Sequence, residues 1–310
     1  MNEAVRIRIG ISGWRYTPWR GVFYPESLPQ RLELAYASRI LPTIEINGSF
    51  YSLQRPEYYA QWFDETPLNF EFAVKGPRFI THMKRLKDVR TPLANFFASG
   101  VFNLGHKLGP ILWQFPPQLR FNRERMSEFL DMLPTDTAAA LRLARCRDAR
   151  LKGRARLAID AVRPMRHAME IRHESFLDPE FIKLLRQHNC ALVIAETAKR
   201  YPMPQDITAD FVYLRLHGDK TLYQSGYSDR ALGRWAEKIR AWHAGDDVTG
   251  NKVTQQPVHG APRDVYCYFD NTDVKLRAPV DAQTLMRKLG LERRATRARV
   301  IKDLLEPVRV

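Results

Sequence analysis

The chain has 310 residues, of which 45% are hydrophobic, and this suffices for one large barrel or two ordinary domains with a substantial core. Its three cysteines, Cys146, Cys190 and Cys267, form no closely spaced pair, which argues against a disulfide framework and against a zinc site built from cysteines. The formal net charge of +15 favours polyanionic partners such as nucleic acid.

The amino-terminal residues predict a chain without a targeting segment. A strand pattern begins within a few residues of Met1, which leaves no room for a signal peptide. No apolar run approaches the roughly 20 residues that a membrane span needs. We therefore expect a soluble cytoplasmic protein with no membrane partner. The sequence calls for no cofactor and leaves the oligomeric state open.

Strand and helix patterns alternate along the chain. Most strands are followed by apolar residues at helical spacing, and Asp178-Pro179 predicts the start of one of the helices. This alternation, with no break between halves, predicts one α/β domain over 1–310, a (β/α)8 TIM-type barrel of eight parallel strands with its core at about 6–289. The predicted strands are 6–12, 43–47, 70–75, 110–115, 167–172, 191–195, 211–217 and 265–269.

Two peripheral segments are strongly basic. A helical insert is predicted at about 135–165, with one helix over 138–156 and nine basic residues between positions 142 and 166. A second basic segment is the predicted helical tail, 290–310. Both are compatible with a solvated helix face and with a surface that binds nucleic acid.

Charged and polar side chains recur where the predicted strands end. Side chains alternate between the two faces of a strand, so Glu170 and Arg172 share one face while Met169 and Ile171 take the other. Because the apolar face must contact the surrounding helices, the polar face points to the barrel axis. Active sites of such barrels lie at this end of the strands. The polar set comprises Glu45, Asn47, Lys75, Gln114, Glu170, Arg172, Arg215 and His217.

Several motifs resemble those of the domain-of-unknown-function family 72, the YecE-like proteins. They include Gly10-Ile11-Ser12-Gly13-Trp14, Glu170-Ile171-Arg172-His173 and Phe269-Asp270-Asn271. Others lie at 23–25, 45–51, 72–75, 81–82, 112–117 and 213–218, and together they run in order from about Arg6 to Leu289. The resemblance implies a TIM-type barrel, and it implies no settled activity.

The favoured hypothesis is an enzyme, with a hydrolase as one option, that acts on a phosphate-bearing small molecule or on nucleic acid. Lys75, Arg172 and Arg215 would bind the anion, because guanidinium groups match phosphate geometry. Their charges exceed those of two glutamates, so we expect a positive cavity. Catalytic residues would be Glu45, Glu170 and His217. Further contacts are expected from Asn47, Gln114, Trp14, Tyr51, His173 and Asn271.

Two other functions stay open. In a glycosidase, Glu45 and Glu170 would form the carboxylate pair, with Trp14, Trp19, Phe50, Tyr51 and Phe176 as sugar platforms. In a non-catalytic nucleic-acid-binding barrel, the charged pairs would be structural. We expect no metal cluster, because only His217 among the histidines is predicted inside the site, while His82 and His173 lie on nearby loops. The loop 217–228, with Tyr223 and Tyr227, is a candidate lid.

Overall fold

Eight parallel strands close into a single barrel in the computed structural model, which describes residues 5–255, 260–270, 276–292 and 297–305. Each strand pairs with the next along the chain, and the last pairs with the first. The predicted barrel is therefore confirmed. The strands are β1 Ile7–Ser12, β2 Thr43–Ile46, β3 Glu71–Lys75, β4 Leu108–Gln114, β5 His167–Glu170, β6 Ala191–Glu196, β7 Phe211–Leu216 and β8 Asp264–Phe269.

Helices connect the strands and surround the barrel. The α-helices are α1 Glu33–Ile40, α2 Gly48–Tyr51, α3 Pro56–Glu65, α4 Arg90–Ala98, α5 Arg123–Met132, α6 Thr137–Ala144, α7 Pro179–Gln187, α8 Asp229–Ala244, α9 Ala278–Leu289 and α10 Arg297–Leu305. Helix α7 begins as predicted: Asp178 accepts a hydrogen bond from the backbone N–H of Glu180 at 2.8 Å, and Pro179 occupies the first turn. In the ranges that the structure covers, no helix is long and apolar enough to cross a membrane.

The two faces of each strand pack in different places, as the alternation predicted. Ile44, Val74 and Met169 point outward and join the core between strands and helices. The inward residues form a separate cluster along the axis, in which Tyr213, Tyr268 and several smaller side chains pack together. The polar ends of the inward rows are thereby brought to one end of the barrel.

The basic segment before β5 differs from the prediction of one helix over 138–156. Helix α6 ends at Ala144, and a separate 3-10 turn spans Ala149–Leu151. The break has a local cause, because the Asp148 side chain accepts from the backbone N–H of Arg150 and so starts a new turn. The segment is therefore two short pieces, joined to the barrel by hydrogen bonds that include Arg156 N to Ala98 O.

Candidate functional site

A fully buried arginine, Arg215, holds three carboxylates together at the carboxyl-terminal end of the barrel. Its Nε and Nη2 donate to the two oxygens of Glu45 at 3.1 and 2.8 Å. Nη1 donates to Oε2 of Glu170 at 2.8 Å, and Nη2 donates to Oδ2 of Asp270 at 3.0 Å. Side chains from β2, β5 and the end of β8 therefore converge on one guanidinium.

Arg215 has no exposed donor for a ligand. Beyond the carboxylates, Nη1 lies 3.3 Å from Nε2 of His217, and Nη2 donates to the Ser12 hydroxyl at 3.2 Å. Each guanidinium nitrogen is thus engaged by the protein, and the side chain is 0% exposed. We predicted an anion ligand at this position, but the contacts make Arg215 the centre of a buried ionic network.

The glutamates of this network accept further hydrogen bonds from neighbouring side chains. Glu45 accepts from the hydroxyls of Ser12 at 2.6 Å and Tyr213 at 2.7 Å. Oε1 of Glu170 accepts from Nε2 of Gln114 at 2.8 Å and from Nε of Arg172 at 3.1 Å. Buried charges need this degree of pairing, and the hydrogen bonds hold the network in place beneath the mouth of the barrel.

Asp270 adds a third carboxylate to the two that we predicted. It directly follows β8 and has the inward parity of Tyr268, so strand alternation was a signal that could have located it. Three carboxylates match the three predicted cations, so the expected excess of positive charge does not arise from those residues. Arg78 also lines the site, and the sequence analysis missed it. With Arg78 included, the cations exceed the carboxylates by one charge.

Two carboxylates of the network, Glu170 and Asp270, are held in their ionised form. Burial alone would raise the pKa of Glu170, but the charges of Arg215 and Arg172 hold that pKa well below its ordinary value. Burial likewise opposes ionisation of Asp270, and Arg215 and His217 nevertheless lower its pKa. A general acid needs a raised pKa, so the glycosidase hypothesis finds no acid in Glu170.

His217 is neutral and covered. An arginine can only donate, so Nε2 of His217 accepts from Arg215 and the ring proton lies on Nδ1, 3.2 Å from Oδ2 of Asp270. Burial, followed by the charge of Arg215, lowers the pKa of His217. The ring of Tyr223 packs edge-on against it with 5.2 Å between centroids, so a ligand would have to displace Tyr223 to touch the histidine.

An open cavity of about 690 Å³ lies over the network at the mouth of the barrel. The predicted catalytic residues Glu45, Glu170 and His217 are 0% exposed and lie beneath it. The side chains that face the cavity come mainly from the segments after the strands. They are Asn47, Phe50, Tyr51, Lys75, Arg78, His82, Met83, Gln114, Arg172, Tyr223 and Asp270.

Two of the predicted cations, Lys75 and Arg172, do reach this cavity. The ammonium of Lys75 lies 4.4 Å from the ring centroid of Phe50. Burial and the charge of Arg215 lower the pKa of Lys75 to about 8. Arg172 uses Nε and Nη2 for Glu170 and stacks over Tyr201 at 5.0 Å, while no hydrogen bond from its Nη1 is found within the described ranges.

The segment after β3 contributes Arg78 and His82, and its backbone is unusual. A single π-helical turn spans Phe79–Met83, and such turns are frequent at functional sites. Nδ1 of His82 lies 2.8 Å from the Thr81 hydroxyl. Burial and then the charge of Arg172 lower the pKa of His82 to about 4, so the ring is neutral at pH 7. The sequence analysis placed His82 only on a nearby loop.

The predicted aromatic platforms are divided by the fold. Tyr51, which is 70% exposed, and Phe50 both face the cavity, and their rings meet edge-on. Trp19 and Phe176 are buried in the core, with exposures of 1% and 0%, and offer no surface to a sugar. Trp14 packs against Trp62 and lines a neighbouring cavity of about 410 Å³.

The remaining predicted contacts lie at the edges of the cavity or away from it. Asn47 lines both this cavity and the neighbouring one, and its Nδ2 donates to the Ser12 hydroxyl at 2.7 Å. His173 accepts from the backbone N–H of Ser175 at a turn and lines a third cavity, of about 730 Å³, on the far side of Arg172. Asn271 lies outside the described residues.

The candidate lid, residues 217–228, packs on the barrel through Tyr227 and faces the cavity through Tyr223. The Tyr227 hydroxyl accepts from the backbone N–H of Gly218 at 3.0 Å, and its ring packs on Phe269. Tyr223 faces the cavity with a left-handed backbone, φ 61°. Such a conformation is costly for a tyrosine and is typical of functional loops.

These observations define a class: a (β/α)8 barrel with a charged, partly buried pocket at the carboxyl-terminal ends of its strands. The family model described as "Protein of unknown function DUF72" matches residues 8–304. The chain therefore belongs to that family, as the motifs suggested.

Relatives and solved structures agree with this assignment. The protein YecE of Escherichia coli K12 is 24% identical over 241 residues, which cover 76% of this chain and 82% of YecE. YunF of Bacillus subtilis is 29% identical over 126 residues, covering 39% of this chain and only 44% of YunF. A DUF72 family crystal structure from Thermotoga maritima aligns with a TM-score of 0.68 at 24% identity, covering 92% of this chain and 99% of that one. A DUF72 family crystal structure from Enterococcus faecalis aligns with a TM-score of 0.66 at 17% identity, covering 93% of this chain and 97% of that one. At these identities the structural likeness shows the fold.

Proposed function

We propose that the protein is an enzyme that acts on a phosphate-bearing small molecule by acid–base chemistry in the 690 Å³ cavity. The observation that carries the proposal is the lining of that cavity. Lys75, Arg78 and Arg172 face it together, whereas Asp270 is the one carboxylate among its lining residues. A phosphate dianion placed there would neutralise charge that is otherwise held partly out of water.

Arg172 is the best-placed phosphate ligand. Its guanidinium is fixed in position by Glu170 and by the ring of Tyr201, so little side-chain entropy would be lost on binding. Its Nη1 makes no hydrogen bond within the described ranges, so this nitrogen is available to an anion. Arg78 stands at the start of the π-helical turn and can approach the same anion.

Proton transfer would fall to groups that face the cavity. His82 is neutral at pH 7 and can accept a proton. Burial raises the pKa of Tyr223, so its hydroxyl keeps its proton and can act as an acid. The ionised carboxylate of Asp270 can act as a base. Glu45, Glu170 and His217 would then be positioning residues, acting through Arg215 and Asp270.

A thermal-shift screen tests the binding part of the proposal. Inorganic phosphate and phosphorylated sugars should raise the melting temperature, because a ligand that binds only the folded state stabilises it by about 2.7 kcal/mol at 100 times its Kd. Arg172→Gln and Arg78→Gln should reduce that gain. Arg154→Gln, which removes an exposed arginine from the basic segment, is the charge-matched control and should not.

The same screen can contradict the proposal in two ways. Stabilisation by neutral sugars and not by any phosphate would favour the glycosidase hypothesis. Stabilisation only in the presence of a divalent metal would show that the carboxylates of Glu45, Glu170 and Asp270 are metal ligands. Either result would remove the anion pocket as the basis of the function.

Turnover is tested on the phosphorylated compound that stabilises the protein best. Its conversion is followed by phosphorus NMR, with the His82→Gln and Tyr223→Phe variants beside the wild type. Loss of one acid–base group should slow turnover by about 10²–10⁴-fold and leave the thermal shift in place. A ligand that stabilises the protein and stays chemically unchanged would identify a binding protein instead.

A further inference from the structure

A second feature of the cavity is a buried lysine that has no hydrogen-bond or ion-pair partner among the described residues. Lys75 ends β3 and is 8% exposed. Its ammonium lies over the face of Phe50, and within the described ranges it makes no hydrogen bond and no ion pair. Its backbone oxygen is occupied by Ser49, so only the side chain is free to act.

Another buried lysine of the same chain shows what a structural role requires. Lys107 is 2% exposed and lies 4.3 Å from the ring centroid of Phe63. Its ammonium donates to the carbonyl oxygens of Phe63 and Thr66 at 2.5 and 2.7 Å and to the Thr66 hydroxyl at 3.1 Å. Lys75 has the same kind of aromatic neighbour and none of these acceptors, although burying an unpaired charge is costly.

The surroundings of Lys75 increase the fraction of its side chain that is a neutral amine. Burial and the nearby guanidinium of Arg215 lower its pKa to about 8, from an ordinary value of 10.5, while the charges of Glu45, Glu170 and Asp270 oppose this shift. About a tenth of the side chains then carry a free lone pair at pH 7. An apolar wall together with a neighbouring cation is an arrangement that activates lysine as a nucleophile.

We propose that Lys75 forms an imine with the carbonyl carbon of a phosphorylated aldehyde or ketone. The phosphate part of this ligand rests on the proposed function, with Arg172 and Arg78 as its partners, whereas the imine rests on Lys75 alone. The substrate class is therefore narrower than phosphate esters in general: it carries a carbonyl group within reach of the cavity floor.

The atoms of the step balance without any further reagent. The lone pair of Nζ attacks the carbonyl carbon, and the oxygen takes up a proton to give a carbinolamine. The nitrogen loses its proton, the hydroxyl group leaves with another proton as water, and a carbon–nitrogen double bond forms. Tyr223 and Asp270 face the same cavity and can give and take these protons. The protonated imine then withdraws electrons from the adjacent carbon, which favours loss of a proton there.

Reductive trapping tests the inference on the whole chain. The protein is incubated with pyridoxal 5′-phosphate, a phosphorylated aldehyde, reduced with sodium borohydride, digested and mapped by mass spectrometry. We expect Lys75 to be labelled first, with Lys107 unlabelled and the exposed Lys152 labelled slowly. Labelling of Lys75 should rise with pH through about 8, the pKa of its amine. A merely structural lysine would not show this profile.

A parallel series separates this inference from the proposed function. Pyridoxal, which lacks the phosphate, should label Lys75 more weakly, and Arg172→Gln should remove the difference between the two aldehydes. Equal labelling by both aldehydes would support the imine and contradict the phosphate pocket. Stabilisation by phosphate with Lys75 unlabelled, or labelled no faster than Lys152, would overturn the imine and leave the pocket. The Lys75→Arg variant keeps the charge and should lose the selective label.

Discussion

The guanidinium of Arg215 lies within hydrogen-bond distance of three carboxylates and stabilises their charges in the folded protein. Glu45 and Glu170 are fully buried, and Asp270 contributes an oxygen at 3.0 Å from Arg215. Removing one partner of a buried ion pair leaves an uncompensated charge, which costs more than the pair itself contributes. The residue scale is therefore where the largest effects of substitution are expected.

Replacing Arg215 with methionine should lower the free energy of unfolding by about 3–5 kcal/mol at pH 7.5, because three carboxylates lose their shared cation. The pH dependence should also reverse. In the wild type the pKa of Glu170 is lower in the folded state than its ordinary value of 4.5, so this group stabilises the fold at any pH above 4.5. That stability is lost as the pH falls through the folded-state pKa. In the variant the carboxylates have raised pKa values, so stability relative to the wild type recovers as the pH falls from 7.5 to 5.

Urea unfolding at both pH values measures this effect. Arg154→Met, on the exposed basic segment, is the matched control and should change the free energy of unfolding by less than about 0.5 kcal/mol at either pH. An Arg215→Met variant that unfolds like the control would show that the carboxylates are solvated. A large loss that does not shrink at pH 5 would show that packing, not charge, accounts for it.

The sequence could locate these side chains but not assign their roles. Strand parity is a local property, so it placed Glu45, Lys75 and Arg215 on the inward face correctly. Strand parity does not show which cation is paired with a carboxylate and which can bind a ligand. That depends on carboxylates that come from three separate strands and meet at one point. Asp270 also has the inward parity, but its role becomes clear only from its contact with Arg215.

At the scale of single elements, the segment after β3 is under backbone strain. Arg85, Leu86 and Asp88 have φ angles of 50°, 67° and 50°, in the left-handed region that favours glycine. Strand and helix patterns did not predict these angles, because the three positions hold no glycine or asparagine. The segment also carries Arg78 and His82 into the cavity, and strain of this kind is concentrated at functional sites.

A pair of glycine substitutions tests whether the strain is real. Arg85→Gly should leave the free energy of unfolding unchanged or raise it by up to ~1 kcal/mol, because glycine accepts a positive φ without steric cost. Lys87→Gly, at an equally exposed neighbour without a positive φ, should lower it by about 0.5–1 kcal/mol. Chemical denaturation of both variants provides the comparison. Equal losses at the two positions would show that Arg85 is not strained.

At the scale of the whole molecule, local patterns were sufficient to predict the topology. Few parallel topologies are possible for a chain in which strands alternate with helices and each strand pairs with the next. The structure has one of them, the closed barrel. Peripheral segments were predicted less well, as the break between α6 and the turn at Ala149–Leu151 shows. No barrel strand constrains those residues, so short-range capping by Asp148 decides their course.

The basic segment lies on a different part of the surface from the cavity. Arg156 is bonded to Ala98 at the end of α4, a helix that returns from the carboxyl-terminal end of β3 toward the start of β4. The segment is therefore near the amino-terminal ends of the strands. Arg145, Arg150 and Arg154 are exposed there. We expect nucleic acid to bind to this surface and the proposed phosphorylated ligand to bind in the cavity.

Changing Arg145, Arg150 and Arg154 together to glutamine should weaken binding to a duplex oligonucleotide and reduce its salt dependence. Each lost phosphate contact lowers the slope of log K against log salt by about 0.9, so the slope should fall by up to ~2.7. The melting temperature should stay within a few degrees, because exposed charges contribute little to stability. Fluorescence anisotropy at several salt concentrations measures the slope.

The control for this prediction removes the same charge elsewhere. Arg55, Arg123 and Lys183 are exposed on other elements, and changing all three to glutamine lowers the net charge equally. If the basic segment is the binding surface, this control keeps most of the affinity and the slope, because counterion release depends on the residues in contact and not on total charge. Equal losses in both triple variants would reduce the segment to a solvated helix face. Loss of affinity in Arg172→Gln would instead place the nucleic acid in the barrel mouth.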